Sequence, residues 1–121
     1  MNNTTTEIGF EALVKDEWMA STTVASWRAW ADKLSIHTQP LTQALIEHAE
    51  LEAGLSVLDL ASGAGEPAFS IARVIGDTGL VTATDLSGDM LNISIDRAKE
   101  KGIRNIDFRV ADAHELPFQD E

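Results

Sequence analysis

The chain of 121 residues carries 9 Lys plus Arg against 20 Asp plus Glu, a net charge of −11, which repels a polyphosphate backbone and argues against DNA or RNA as a partner. It has no cysteine, so disulfides, thiolate metal sites and a cysteine nucleophile are excluded, as suits a reducing cytosol. The length fits one domain, no stretch reaches the roughly 18 apolar residues of a membrane span, and MNNTTTEIGF lacks the regions of a secretory leader, so a cytoplasmic location is expected.

In chain order, Asn2 to Thr6 is polar and aperiodic and reads as a frayed terminus. From Glu7 to Leu34 the apolar residues Phe10, Leu13, Val14 and Trp18, then Val24, Trp27, Trp30, Ala31 and Leu34, recur at three- and four-residue spacings and predict one or two amphipathic helices. Thr38 reads as an N-cap, with Pro40 in the first turn of a separate helix whose stripe is Leu41, Leu45, Ile46 and Ala49 and which stops between Glu50 and Gly54. Residues 1–50 are thus expected to be a helical N-terminal segment.

After Gly54 the period changes. Ser56 to Leu60 (SVLDL) reads as strand 1, PAFSIARVIG as a helix closed by Gly76, Asp77 and Gly79, and Leu80 to Thr84 (LVTAT) as strand 2. Ser87 is a cap for a helix through Met90, Leu91, Ile95 and Ala98 to Gly102, and Ile106 to Val110 (IDFRV) is strand 3. Alternating strands and helices predict a parallel sheet with right-handed crossovers.

The loop after strand 1 runs from Asp59 to Pro67. Gly63 and Gly65 let backbone amides approach a ligand at the start of the next helix, and with Ala68 they also satisfy the dinucleotide pattern GxGxxG/A. Asp85, at the carboxyl end of strand 2, can accept hydrogen bonds from both hydroxyls of a ribose. An adenine dinucleotide and S-adenosylmethionine would both use it. Asp59 favours the second, because a carboxylate facing the crevice repels a pyrophosphate and attracts the ammonium of a methionine moiety. After strand 3, Asp112 can accept from an adenine amino group, and the main-chain amide of Ala113 can donate to the ring. His37 and His48 read as surface residues and His114 as a loop residue; no catalytic residue or metal ligand emerges.

In this order and spacing, VLDLASGAGEPAFSIA, VTATDLSGDML and VADAHELPF resemble motifs I, post-I and II of the class I S-adenosylmethionine-dependent methyltransferases, closest to the ubiquinone and menaquinone biosynthesis type, over Leu51 to Phe118. The resemblance implies an α/β, Rossmann-like fold with N-terminal helices and strands in the spatial order 3-2-1. Residues 51–121 would be the cofactor-binding βαβαβ half, ending before strand 4, with strands 4 to 7 absent. It implies that Asp59, Gly63 and Gly65 surround the methionine portion, Asp85 holds the ribose, Leu86 packs on the adenine, and Asp112 with Ala113 reads its edge. Ala61 stands where the family has its first loop glycine. Trp18, Trp27 and Trp30 are read either as a lid over the methyl donor or as a stripe packed on the sheet or a partner.

The expected function is methyl transfer from S-adenosylmethionine to a small-molecule acceptor, leaving S-adenosylhomocysteine. A fragment that binds either compound without catalysis is the alternative; an NAD-binding oxidoreductase fragment is disfavoured by Asp59 and the Asp112 segment. Since strand 1 is central in the family's sheet, ending before strand 4 leaves Ser56 to Leu60 as an apolar edge, and a homodimer or higher self-association is expected.

Overall fold

Three short runs of β-branched and aliphatic residues build the sheet. In the computed structural model, which describes residues 12–112, they are β1 (Ser56–Asp59), β2 (Leu80–Asp85) and β3 (Ile106–Val110). Residues 12–19 form helix α1, followed by α2 (Ser21–His48), α3 (Ala68–Ile75) between β1 and β2, and α4 (Gly88–Lys101) between β2 and β3. Phe10, Ala113, His114 and Phe118 lie outside the described residues.

The strands are parallel in the order β1-β2-β3, the expected 3-2-1 read from the other side. The register sets Asp59 beside Ala83 and Asp85 beside Val110. All three carboxyl ends therefore share one edge of the sheet, and the loops that follow them converge there.

Central β2 buries Val81, Ala83 and Thr84, as a strand flanked on both sides must. One apolar cluster joins Ile71, Ala72 and Ile75 of α3 to Val81 and Ala83, and takes Ile46 from α2. A second joins Ala31 of α2 to Ala64, Met90 and Ile93. Helix α4 has the limits its sequence predicts. The Ser87 hydroxyl accepts from the Met90 amide (3.2 Å), and Gly102 ends the helix in the left-handed conformation that glycine adopts without a Cβ penalty. The Asn105 side chain donates to the Ala72 and Gly76 carbonyls (2.8 and 2.9 Å) and so closes the end of α3, a role its position gives no hint of in the sequence.

The helical segment departs from expectation. Ala20 interrupts it in an extended conformation, but no second break occurs at Thr38: α2 continues through Pro40 to His48. Proline brings no N–H for the Ile36 carbonyl and costs that ladder bond. Thr38 does not cap; its hydroxyl turns back on the Leu34 and Ser35 carbonyls (3.1 and 3.3 Å), as threonine does inside helices. The helix survives because both sides of Pro40 are anchored, by Ala31 in one cluster and Ile46 in the other. Among the described residues no helix is long and apolar enough to cross a membrane.

Candidate functional site

The loop between β1 and α3 has three residues at positive φ: Ala61 (53°), Gly63 (56°) and Gly65 (125°). Gly65 cannot carry a side chain, since a Cβ there would lie 2.1 Å from the Phe69 ring. At Ala61 the chain holds an L-residue in a conformation that costs a non-glycine residue about 1 kcal/mol or more.

The loop is tied to β2. The Ser62 amide donates to the Thr84 carbonyl (2.8 Å), and the Gly63 amide donates to Asp85 Oδ2 (2.9 Å). Asp85 Oδ1 accepts from the Ser87 amide (2.9 Å). Two main-chain donors thus fix the carboxylate, one on each oxygen, and each oxygen keeps a lone pair for a ligand hydroxyl. From α4, the buried Ser94 hydroxyl donates to the Gly63 carbonyl (2.5 Å).

Above this loop is a cavity of about 1070 Å³. Its sheet-side wall includes Ala61, Gly63, Gly65, Asp85, Leu86 and Asp112, so six of the eight sequence-predicted cofactor residues meet on one surface. Ala113 lies outside the described residues. Asp59 is not on the wall. Its Oδ2 is buried and without a hydrogen-bond partner, and Thr84 Oγ1 donates to its main-chain oxygen (3.1 Å). Burial above all, then the neighbouring carboxylates of Asp85 and Glu66, push its carboxyl up to about 6.

The opposite wall is helical. Val14, Lys15 and Trp18 come from α1 and Trp27, Leu34 and Leu41 from α2. Lys15 Nζ lies 3.6 Å from the Asp112 carboxylate, and the Trp18 and Trp27 rings are 6.1 Å apart between centroids. Trp30 is not on this wall: it is exposed, with Lys33 Nζ 4.7 Å above its ring. His37 and His48 are exposed on α2.

One residue escaped the sequence reading. Arg97 of α4 is buried beside the loop and borders the cavity. Its signal was positional: it shares a helix face with Met90, Ile93 and Ser94, all buried, where a charged side chain must have partners.

A family model described as the ubiE/COQ5 methyltransferase family matches residues 23–121. The ubiquinone/menaquinone biosynthesis C-methyltransferase of Vibrio campbellii is 31% identical over 100% of this chain and 50% of its own length. The protein of the same name from Shewanella halifaxensis is 42% identical over 62% of this chain and 30% of its own. The chain thus spans half or less of the length of these relatives. Among solved structures, TrmN from Thermus thermophilus superposes with a TM-score of 0.61 and 38% identity over 64% of this chain and 23% of its own. A putative S-adenosylmethionine-dependent methyltransferase from Methanococcus maripaludis gives a TM-score of 0.71 over 84% of this chain and 46% of its own, at 19% identity, a likeness of fold. With its three parallel strands arranged as in the methyltransferase Rossmann-like folds, the chain belongs to the ubiE/COQ5 family of S-adenosylmethionine-dependent methyltransferases.

Proposed function

We propose that this chain binds S-adenosylmethionine in the cavity between the glycine loop and the helical wall, and supplies the cofactor side of methyl transfer to a small-molecule acceptor. The observation that carries the reading is Asp85, fixed by the Gly63 and Ser87 amides on the cavity wall. A carboxylate held this way suits the two hydroxyls of a ribose.

The donor set fits the rest of the molecule. The unpartnered Asp59 oxygen lies within reach of the carboxylates of Asp85, at the end of β2, and Glu66, in the loop. This negative environment favours a cationic amino-acid moiety and opposes a pyrophosphate. Gly63 and Gly65 give the close approach, Leu86 offers an apolar surface for an adenine, and Asp112 offers a polar edge. When bound, the cofactor supplies a methyl group already made electrophilic by a sulfonium, so the protein's part is orientation and exclusion of water. Trp18 and Trp27 serve the second task. On this reading residues 1–50 are the cover and 51–121 the cofactor-binding half.

The relatives' names indicate a carbon nucleophile in a quinone precursor, and the apolar residues Leu34 and Leu41 on the helical wall suit such an acceptor. The partner in solution is a second copy, seated on the β1 edge.

Calorimetric titration tests the reading. S-adenosylhomocysteine should bind saturably and NAD should give no heat at millimolar concentration. Asp85→Ala should weaken S-adenosylhomocysteine binding by about 1.5 to 3 kcal/mol, the loss of charged hydrogen bonds. Saturable NAD binding, or an unchanged affinity in the variant, would overturn the assignment.

A further inference from the structure

The glycine loop lines the cavity and is held from α4 by two side chains, Ser94 on the Gly63 carbonyl and Arg97, and of the two Arg97 also reaches α2. Arg97 Nη1 donates to the Ala64 carbonyl in the loop (2.5 Å). Its Nη2 donates to Asp32 Oδ1 (2.8 Å) and to Ser35 Oγ (3.2 Å), both on α2. The guanidinium carbon lies 5.3 Å from the centroid of the Phe69 ring, the ring that fills the space a Cβ on Gly65 would need. One planar group therefore touches the loop at Ala64, bears on Gly65 through Phe69, and grips the helix that forms the far wall of the cavity.

The neighbouring links between α2 and α4 are weaker in kind. Arg28 and Asp96 pair at 2.9 Å with both side chains about half exposed, and Lys101 reaches Asp32 only at 3.9 Å. Water and salt screen such pairs. The Arg97 side chain is buried while its partner Asp32 is largely exposed. It is therefore the bonds to the Ala64 carbonyl and the half-buried Ser35 hydroxyl that keep their strength, and loss of the guanidinium would strand the Ala64 carbonyl. Lysine could not replace it in full, because a point charge cannot span acceptors on two separate elements as a planar fork does.

We infer that Arg97 is a positioning residue that joins the cover helix α2 to the glycine loop, so that the loop holds its ligand-receiving form only while α2 is seated. The inference rests on the cofactor reading above. It makes binding at the loop and seating of the helix one event: a ligand that fixes the loop also fixes α2, and detaching α2 weakens the ligand.

The three tryptophans, Trp18, Trp27 and Trp30, all belong to α1 and α2, so intrinsic fluorescence reports the cover alone. In the full 121-residue chain, S-adenosylhomocysteine should bind and shift the tryptophan emission. Arg97→Met, which keeps the apolar stem, should bind about tenfold more weakly and show a smaller shift at saturation, within the usual range of coupling between sites. Arg97→Lys should recover part of both. Should Arg97→Met fail to fold, Asp32→Asn combined with Ser35→Ala weakens the link from Arg97 to α2 while leaving Arg97 on Ala64, and should cost about threefold in affinity with a smaller emission shift. A folded variant of either kind that binds as tightly as the wild type with the full shift would overturn the positioning role and leave the cofactor reading intact. A wild-type chain that binds no S-adenosylhomocysteine would overturn the cofactor reading, and this inference with it.

Discussion

Asp59 carries opposite consequences for stability and for binding. Its carboxyl titrates near 6 rather than at the ordinary 3.8, so between about pH 4 and 6 the folded chain holds a proton that the unfolded chain has lost. Stability contributed at this position therefore falls as pH rises through that window and levels off above it, by at most roughly 3 kcal/mol for two units of displacement. Asp59→Asn should remove the penalty. Scanning calorimetry should find the variant more stable than the wild type at pH 7.5 but not at pH 4, a difference in which the carboxylates that do not interact with Asp59 cancel. The same variant should bind S-adenosylhomocysteine less tightly, since its ammonium loses a counter-charge. A variant-minus-wild-type difference that does not change with pH would refute this account of Asp59. Ala61 presents a simpler case. Its left-handed backbone suits glycine, and Ala61→Gly should stabilise the chain by up to about 1 kcal/mol, part of the relief being offset by the freer unfolded chain. A lower melting temperature would show that the loop gains more from the methyl group than it loses in strain.

Elements with local signals were legible in the sequence. Ser87 and Gly102 bracket α4 because a cap and a left-handed closure are decided within a few residues, and the strands follow from apolar runs next to glycine loops. The wall that gathers Ala61, Gly63, Gly65, Asp85, Leu86 and Asp112 was legible for a related reason: parallel strands send all their carboxyl ends to one edge. What the sequence hid depends on distant partners. Pro40 and Thr38 carry the local marks of a helix start, and only the anchoring of Ala31 and Ile46 in separate clusters keeps α2 continuous. Asp59 was expected to face the cavity; it does not line it, and its Oδ2 is buried without a hydrogen-bond partner, an environment set by packing around the strand end that residue type does not reveal. Arg97 could not be told from Lys99 or Lys101 by type; its partners Asp32 and Ala64 lie 65 and 33 residues away.

For the molecule as a whole, the sheet has two edges, and β1 forms one of them among the described residues. Leu58 and Leu60 are each 44% exposed there, and Asp59 is the only charge in the strand. Such an edge pairs readily with another. Light scattering at tens of micromolar should give an average mass above that of one chain, falling on dilution, and Leu58→Lys should lower it. A monodisperse monomer at every concentration would show that the edge is covered. The unbroken α2 bears on the molecule in another way. Ala31 secures it to the α4 side and Ile46 to the α3 side, while between them Pro40 brings no N–H for the Ile36 carbonyl. The helix is a beam pinned at both ends with a single soft joint at mid-span, and cavity-lining Leu34 and Leu41 stand on either side of it. The mouth can thus widen by flexing that joint without releasing either pin. Amide hydrogen exchange should then be faster at Leu41 and Gln43 than at Lys33 or Glu47, and Pro40→Ala should level the profile and slow the entry of ligand.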